Sequence, residues 1–390
     1  MAPPRTLVIV LAGGAGGRLE LLTSNRAKPA VPFGGTHRLI DFPLSNCLHA
    51  GITDVWVVEQ FNAVSLSDHL ANGRPWDLDR TTGGLLVLHP QPGDKGEGWH
   101  QGTADALWRQ APLVRQFAPD AMVVVSADAV YRLDYELVVR EHRESGAIAT
   151  LVTIEVDEAE AGRYGVVQVQ DGRVTGYVSK PDQPSGRLVS NEVFVFDPGP
   201  VLEMLDELGD DAGDDGLEDL GDDLLPRIVD GGGAREHRMT SYWRDVGTVD
   251  AYWESHQDLL RDPPGIDLDD PAWPIRTRGG GLAAARILPL GDVQDALLAP
   301  GAIVGGTVTN SVLSSGVVVE PGAVVRDSVL LPGAHVAADA LVVRSIIDDE
   351  VRIGRDARVG GDDAVTLVGL RAQVPEGGVI AAGGRFPDER

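Results

Sequence analysis

Lysine is almost missing from this 390-residue chain: of its 33 basic residues, only Lys28, Lys95 and Lys180 are lysines. Arginine holds every other cationic position. The three survivors therefore mark places where a compact ammonium fits among phosphate oxygens and a planar guanidinium would overfill the space. A single cysteine, Cys47, excludes an internal disulfide and suits a reducing compartment. No apolar run approaches the ~20 residues that cross a bilayer. The short run near Met1 also lacks the basic flank and small-residue cleavage pattern of a signal peptide. A soluble cytoplasmic protein without a membrane partner is expected. Positive charge is scarce as well, since 59 acidic residues leave a net charge of −26. No basic stripe exists to neutralise a phosphate backbone, which excludes a nucleic-acid partner. An anionic small substrate must then be held by a few placed cations and not by an overall field.

What is present suffices for two domains, with 43% hydrophobic residues over 390 positions. Leu7 to Leu11 reads as a strand buried on both faces. Further strands are expected over Asp54–Val58, Ala121–Val125, Ala147–Ile154, Gly165–Val169 and Glu192–Phe196, with helices over Thr103–Gln116 and Tyr135–Glu144. This alternation predicts an α/β domain with a mostly parallel sheet, whose ligands bind off the carboxyl ends of the strands. Eleven of the 21 residues in 203–223 are acidic, but without calcium-loop spacing they read as a solvated helix and loop. The Pro263–Pro274 stretch reads as a linker. Beyond Leu297, Val312, Val318, Val324, Leu330, Val336 and Val342 recur every six residues, and Ile353 and Val359 keep that interval after a slip. Such a period predicts a parallel β-helix in which each side of a triangular coil turns one aliphatic residue inward. The expected division is a first domain over 1–255, a linker over 256–290, and a β-helix with a tail over 291–390.

Glycines 13, 14, 16 and 17 follow the first strand. They fit neither the dinucleotide fingerprint nor a P-loop, yet the amides of such a turn can cradle a polyphosphate, with Arg18 adding charge. The string Leu11-Ala12-Gly13-Gly14-Ala15-Gly16-Gly17-Arg18-Leu19 resembles the signature loop of sugar-phosphate nucleotidyltransferases. Arg26-Ala27-Lys28-Pro29, Arg38-Leu39-Ile40-Asp41-Phe42-Pro43, Gly102-Thr103-Ala104-Asp105 and Trp243-Arg244-Asp245-Val246-Gly247-Thr248 narrow the resemblance to the glucose-1-phosphate adenylyltransferases. Trp273-Pro274-Ile275-Arg276 and the hexapeptide repeats extend it through nearly the whole chain.

The resemblance implies that ATP and a sugar 1-phosphate react to give a nucleotide sugar and pyrophosphate, with Mg²⁺ held by Asp128 and Asp245. It assigns Arg18 to the β and γ phosphates, Lys28 to the reacting phosphates and Lys180 to the sugar phosphate. Gly13, Gly14, Gly16, Gln60, Gly102 and Thr103 would serve the nucleotide. His100, Gly165, Ser179, Ser190, Asp219 and Trp243 would serve the sugar. It also implies a left-handed coil for the β-helix, allosteric control, and a homotetramer or a hetero-oligomer with a related subunit. For effector binding, Arg26 is present while Asn25 stands where a lysine is frequent.

The chain departs from the family pattern mainly at sugar-facing positions. Ser179 replaces a glutamate, Ser190-Asn191-Glu192 replaces Ser-Met-Gly, Ala127-Asp128-Ala129 replaces Gly-Asp-His, and His100 replaces a tyrosine. Two readings follow: a pocket retuned to another sugar 1-phosphate, with Glu192 resupplying the lost carboxylate, or a regulatory subunit that turns over poorly. The intact charges favour retained catalysis. An acyl-transferring β-helix is disfavoured by the few coils, the lack of lysine and the single His335 in the repeat region.

Overall fold

The structure is a computed structural model and describes residues 5–14, 16–89, 100–212 and 216–387. Lys95 and Trp99 lie outside the described residues. Nine strands form the main sheet: β1 (Thr6–Ala12), β2 (Asp54–Glu59), β3 (Gly84–Leu88), β4 (Ala121–Ser126), β5 (Ala149–Glu155), β6 (Val166–Gln170), β7 (Arg173–Val178), β8 (Leu188–Phe196) and β9 (Ala234–Arg238). Their spatial order is β3-β2-β1-β4-β8-β5-β9-β7-β6. Strands β1 to β5 and β9 run parallel, and β8 is antiparallel to both of its neighbours, β4 and β5.

The continuous apolar run of β1 is explained by burial on both faces. Val8, Val10 and Ala12 enter one core, which helices α1 (Asp41–His49), α2 (Ala63–Leu70) and α4 (Tyr135–Ser145) close with Leu44, Leu66, Leu70 and Val138. Leu7 and Ile9 enter the other, closed by α3 (Thr103–Phe117), α5 (Pro198–Ala212) and α6 (Leu224–Asp230) through Leu107, Val114, Leu205 and Ile228. The period-two alternation along a strand thus distributes one hydrophobic string between two cores. The expected mostly parallel α/β sheet is present. No helix among the described residues is long and apolar enough to cross a membrane.

The C-terminal region is a parallel β-helix, in which Ile303, Val318, His335, Arg352 and Gln373 stack in register on one face. The inward phase differs from the sequence reading. Leu313, Val319 and Val325 fill the coil interior ahead of Leu330, Val336 and Val342, whereas Val324 lies on the surface. One of the three sides of a coil is five residues long, so equivalent positions recur every 17 residues, as in Val318, His335 and Arg352. The same interval stacks Asn310, Asp327 and Arg344 at one corner, each with positive φ.

Helix α7 (Val249–Asp258) and the segment after it join the two regions. Ile266 and Ile275 share a core with Phe33, Phe42 and Tyr252 and with Val329, Ile346 and Leu367 of the β-helix. Trp76 and His49 hydrogen-bond the carbonyls of Arg276 and Pro274, so the proline-rich stretch is packed along its length and is not a free tether. Arg26 crosses the same seam, with Nη2 2.7 Å from Asp348 Oδ1 and Nη1 3.6 Å from Asp349 Oδ2. Arg26 and Asp348 are buried.

Candidate active site

The loop after β1 begins at the carboxyl edge of the sheet with Gly13 and Gly14, and it turns at Gly16 in the left-handed region (φ 69°). A Cβ at Gly16 would sit 3.2 Å from the Lys28 side chain, so the loop wraps closely against that lysine. Leu19 and Leu22 bury the following turn and leave Arg18 exposed. Lys28 opens a short 3-10 turn, Lys28–Ala30, which is held where the Ala27 amide donates to Ser65 Oγ at 2.9 Å.

Asp128 follows β4 directly and accepts a hydrogen bond from Ser126 Oγ at 2.5 Å. A two-stranded ribbon pairs Ala129–Tyr131 with Trp243–Asp245 and sets Asp245 opposite Ala129. The Val246 amide donates to the Asp128 carbonyl at 3.2 Å. Two carboxylates from distant parts of the chain are thereby brought onto one ammonium: Lys28 Nζ lies 2.5 Å from Asp128 Oδ2 and 3.8 Å from Asp245 Oδ1. Arg163 Nη2 flanks Asp245 at 3.3 Å.

Burial alone would lower the Lys28 pKa, but Asp128 and then Asp245 outweigh it and hold the ammonium above the ordinary lysine value. Asp128 is likewise held below the usual carboxylate range, because Lys28 and Ser126 overcome its burial. Asp245 moves the other way, raised by burial and by the charge on Asp128. Such divergence is what two neighbouring acids show when one receives the better counter-ion.

The cleft above them has a volume of about 500 Å³ and is lined by Gly13, Gly14, Arg18, Lys28, Gln60, His100, Gly102, Thr103, Asp128, Gly165, Ser179, Lys180, Ser190 and Asp219. Most of the residues singled out in the sequence therefore meet here. Thr103 starts α3, and its amide and hydroxyl both donate to Asp219 Oδ1, at 3.1 and 3.0 Å. Lys180 is positioned by its amide, which donates to the Tyr164 carbonyl at 3.1 Å, and its Nζ lies 3.7 Å from Asp219 Oδ2. Ser190 donates its amide to the Gly165 carbonyl at 2.8 Å.

Three expected residues do not line this cleft: Gly16, Trp243 and Asp245, which lies in the neighbouring cavity and reaches the site through Lys28. Gly16 shapes the loop behind Lys28 and does not line the cleft. Trp243 packs edge-on against Tyr164, with centroids 5.2 Å apart, and lines a separate cavity of about 210 Å³ behind Asp245. Gln60 lines the cleft as expected and also bonds His100, donating to the carbonyl at 3.0 Å and accepting from the amide at 2.9 Å, which leaves one N–H and one lone pair for a ligand. As placed, Gln60 pins the His100–Gly102 turn.

Sequence reasoning missed Arg163, Ser126 and Tyr177. Nothing local marks Arg163, which meets Asp245 only across 82 residues of chain. Glu192 also faces the cleft. It sits on an irregularity of β8, where register shifts between Ser190 and Phe194, and its backbone is left-handed (φ 62°). That conformation costs a non-glycine residue about 1 kcal/mol or more. Its side chain is exposed within the cleft, yet the surrounding protein, with Asp128 and Asp245 nearby, raises its pKa to about 7.

Gly102 makes the closest backbone approach in the site, since a Cβ there would lie 2.1 Å from the Glu218 carbonyl oxygen. That oxygen belongs to main chain and cannot swing aside. Gly102→Ala is expected to push α3 off the 218–219 turn and break both Thr103–Asp219 hydrogen bonds. Steady-state kinetics should show a rise in substrate KM of roughly tenfold, near the ~1–1.5 kcal/mol of a lost hydrogen bond. A wild-type KM would show that the turn can move.

Asp128 and Asp245 form a set of hard oxygen donors already converging on a cation. A divalent metal of the magnesium type, which takes one or two carboxylates and completes its shell with phosphate and water, fits such a pair. Among the described residues no cluster of three or more metal-ligating side chains forms a self-sufficient cage. The pair would need a phosphorylated substrate to complete it.

An α/β sheet with a Gly-rich loop, converging cations and two metal-competent carboxylates, followed by a β-helix, defines a nucleotidyltransferase. The family of that description, nucleotidyl transferase, matches residues 7–262, and the GlmU-like C-terminal hexapeptide family matches 287–381. The chain is 41% identical to a glucose-1-phosphate adenylyltransferase of Thermomicrobium roseum and 36% identical to one of Acetivibrio thermocellus, each alignment covering 95% of this chain and 90% of the relative. A Bacillus anthracis protein of the same name is 36% identical over 90% of this chain and 93% of its own length. The chain belongs to the glucose-1-phosphate adenylyltransferase family.

Proposed function

We propose that this protein transfers the adenylyl group of ATP to glucose 1-phosphate, forming ADP-glucose and pyrophosphate for glycogen or related α-glucan synthesis. The observation that carries this reading is Lys28 seated between Asp128 and Asp245 beside a cleft that also receives Arg18 and Lys180. In the reaction an oxygen of the sugar phosphate bonds to the α-phosphorus. The bond from that phosphorus to the β-bridging oxygen breaks, and pyrophosphate leaves with the electron pair. A phosphate monoester with a second pKa near ~6 is already an anionic nucleophile at neutral pH, so no general base is required. Positioning and charge neutralisation carry the step.

Each cation then has a task. Arg18, exposed on the glycine loop, meets the β and γ phosphates. Lys28 neutralises the phosphates that react, and Lys180 receives the phosphate of the sugar. Asp128 and Asp245 would hold Mg²⁺, which when bound supplies further neutralisation of phosphate charge. The Gly102–Thr103 turn, pinned by Gln60, faces the base, while His100, Gly165, Ser179, Ser190 and Asp219 surround the sugar. Trp243 acts from behind, through Tyr164. The proposal includes the division into a nucleotidyltransferase domain over 1–255, a connector over 256–290 and a β-helix domain over 291–390. It also includes a cytoplasmic, oligomeric enzyme.

Pyrophosphate release from ATP, Mg²⁺ and glucose 1-phosphate tests the reading. Silence with every sugar 1-phosphate tried would overturn it in favour of a non-catalytic subunit. Within an active enzyme, Lys180→Arg is expected to raise the KM for the sugar phosphate roughly tenfold, since a guanidinium cannot take the place of a point-like ammonium. An unchanged KM would remove Lys180 from that task.

A further inference from the structure

Most carboxylates that line the cleft are already engaged. Glu59 is held by Ser67 Oγ at 2.9 Å and His89 Nδ1 at 2.5 Å, Asp128 by Ser126 and Lys28, and Asp219 by Thr103. Glu192 is different. Its side chain makes no hydrogen bond or ion pair with another described residue, although it lines the same wall as Ser179, Lys180 and Tyr177. Its backbone conformation is one that glycine adopts freely and glutamate does not. A free carboxylate is thus held at an unfavourable backbone position, facing the space where a sugar phosphate would lie.

Resting on the adenylyl-transfer reading, we propose that Glu192 reads the sugar and fits the site to an amino sugar 1-phosphate, a substrate class beyond glucose 1-phosphate. The charge balance favours this class. Lys180, the cation on the same wall of the cleft, is assigned to the substrate's phosphate. With that phosphate on Lys180, Glu192 is left facing the sugar ring without a partner. A ring hydroxyl offers only a neutral hydrogen bond, whereas a ring ammonium offers a charge-assisted one of about twice the strength. The site then binds the substrate at both ends, phosphate on Lys180 and ammonium on Glu192.

The test compares kcat/KM for pyrophosphate release with glucosamine 1-phosphate and with glucose 1-phosphate, in the wild type, Glu192→Gln and Glu192→Gly. The wild type is expected to use both sugars. Each variant should lower the glucosamine-to-glucose ratio of kcat/KM by roughly tenfold or more. Glu192→Gly should melt no lower than the wild type, because it removes the left-handed strain. Loss of activity with a preserved melting temperature is therefore not misfolding. Equal effects on the two sugars, or a wild type that uses glucose 1-phosphate and refuses glucosamine 1-phosphate, would overturn this inference alone. A wild type silent on both overturns the adenylyl-transfer reading and this inference with it.

Discussion

Lys28→Met is expected to lower kcat/KM by roughly 100- to 1000-fold, the range seen when one preorganised group that stabilises transition-state charge is removed. The ammonium is buried, and two carboxylates hold its charge in place, so it needs no reorganisation when phosphate charge develops beside it. Methionine keeps the unbranched apolar stem and removes the ammonium, with its charge and its hydrogen bond to Asp128. The variant also leaves Asp128 and Asp245 facing each other without their shared counter-ion. Its melting temperature should therefore fall in the absence of divalent metal, and Mg²⁺ should restore more of it than in the wild type, where Lys28 competes for the same oxygens. Kinetics and thermal melts with and without Mg²⁺ measure both effects. A variant with near-wild-type kcat/KM would detach Lys28 from the reacting phosphates.

The features legible in the sequence were those with a local physical cause. β1, β2 and β4 were readable because strands buried on both faces must be apolar at every position. α3 and α4 were readable from their amphipathic periods, and both ended within one residue of expectation. β3, β7 and β9 went unread; β7 and β9 are partly exposed and alternate few apolar residues, and β3 is a short run of five. In the β-helix the ambiguity came from paired aliphatics. Val312-Leu313, Val318-Val319 and Val324-Val325 each offer two candidates for one inward position, and a strict six-residue count chose the first of each pair. The five-residue side selects the second.

The candidate site follows the same logic. Glycine loops and strand-end aspartates announce themselves, so Gly13, Gly14, Arg18 and Asp128 could be placed on one edge. The meeting of Asp128 with Asp245 depends on a two-stranded ribbon between segments far apart in sequence, which no window of residues displays. Arg163 and the engagement of Gln60 with His100 are tertiary facts of the same kind.

Arg26→Met should destabilise the protein by about 3–5 kcal/mol at pH 8, the usual cost of removing one partner of a buried ion pair. Against a total stability of roughly 5–15 kcal/mol, that is a large fraction. Arg26 reaches from the loop beside Lys28 to Asp348 in the β-helix, and both side chains are buried. Its intact worth over an apolar replacement is small, so Arg26→Met combined with Asp348→Asn should recover most of the loss. The effect must also depend on pH. Burial raises the Asp348 pKa, Arg26 pulls it back down, and the balance leaves it at about 6, against ~3.9 for an unfolded aspartate. A folded-state pKa raised in this way gives stability that is fully present below pH ~4 and is lost as pH climbs through about 6, on the order of 3 kcal/mol. Removing Arg26 takes away the group that pulls this pKa down, so the variant's window shifts to still higher pH. At pH 5 Asp348 is largely protonated with or without its partner, and the cost of losing Arg26 shrinks towards that of a neutral hydrogen bond. Urea denaturation of both proteins at pH 5 and pH 8 measures the difference. An equal loss at the two pH values would show that the arginine acts through packing, with no charge held across the seam.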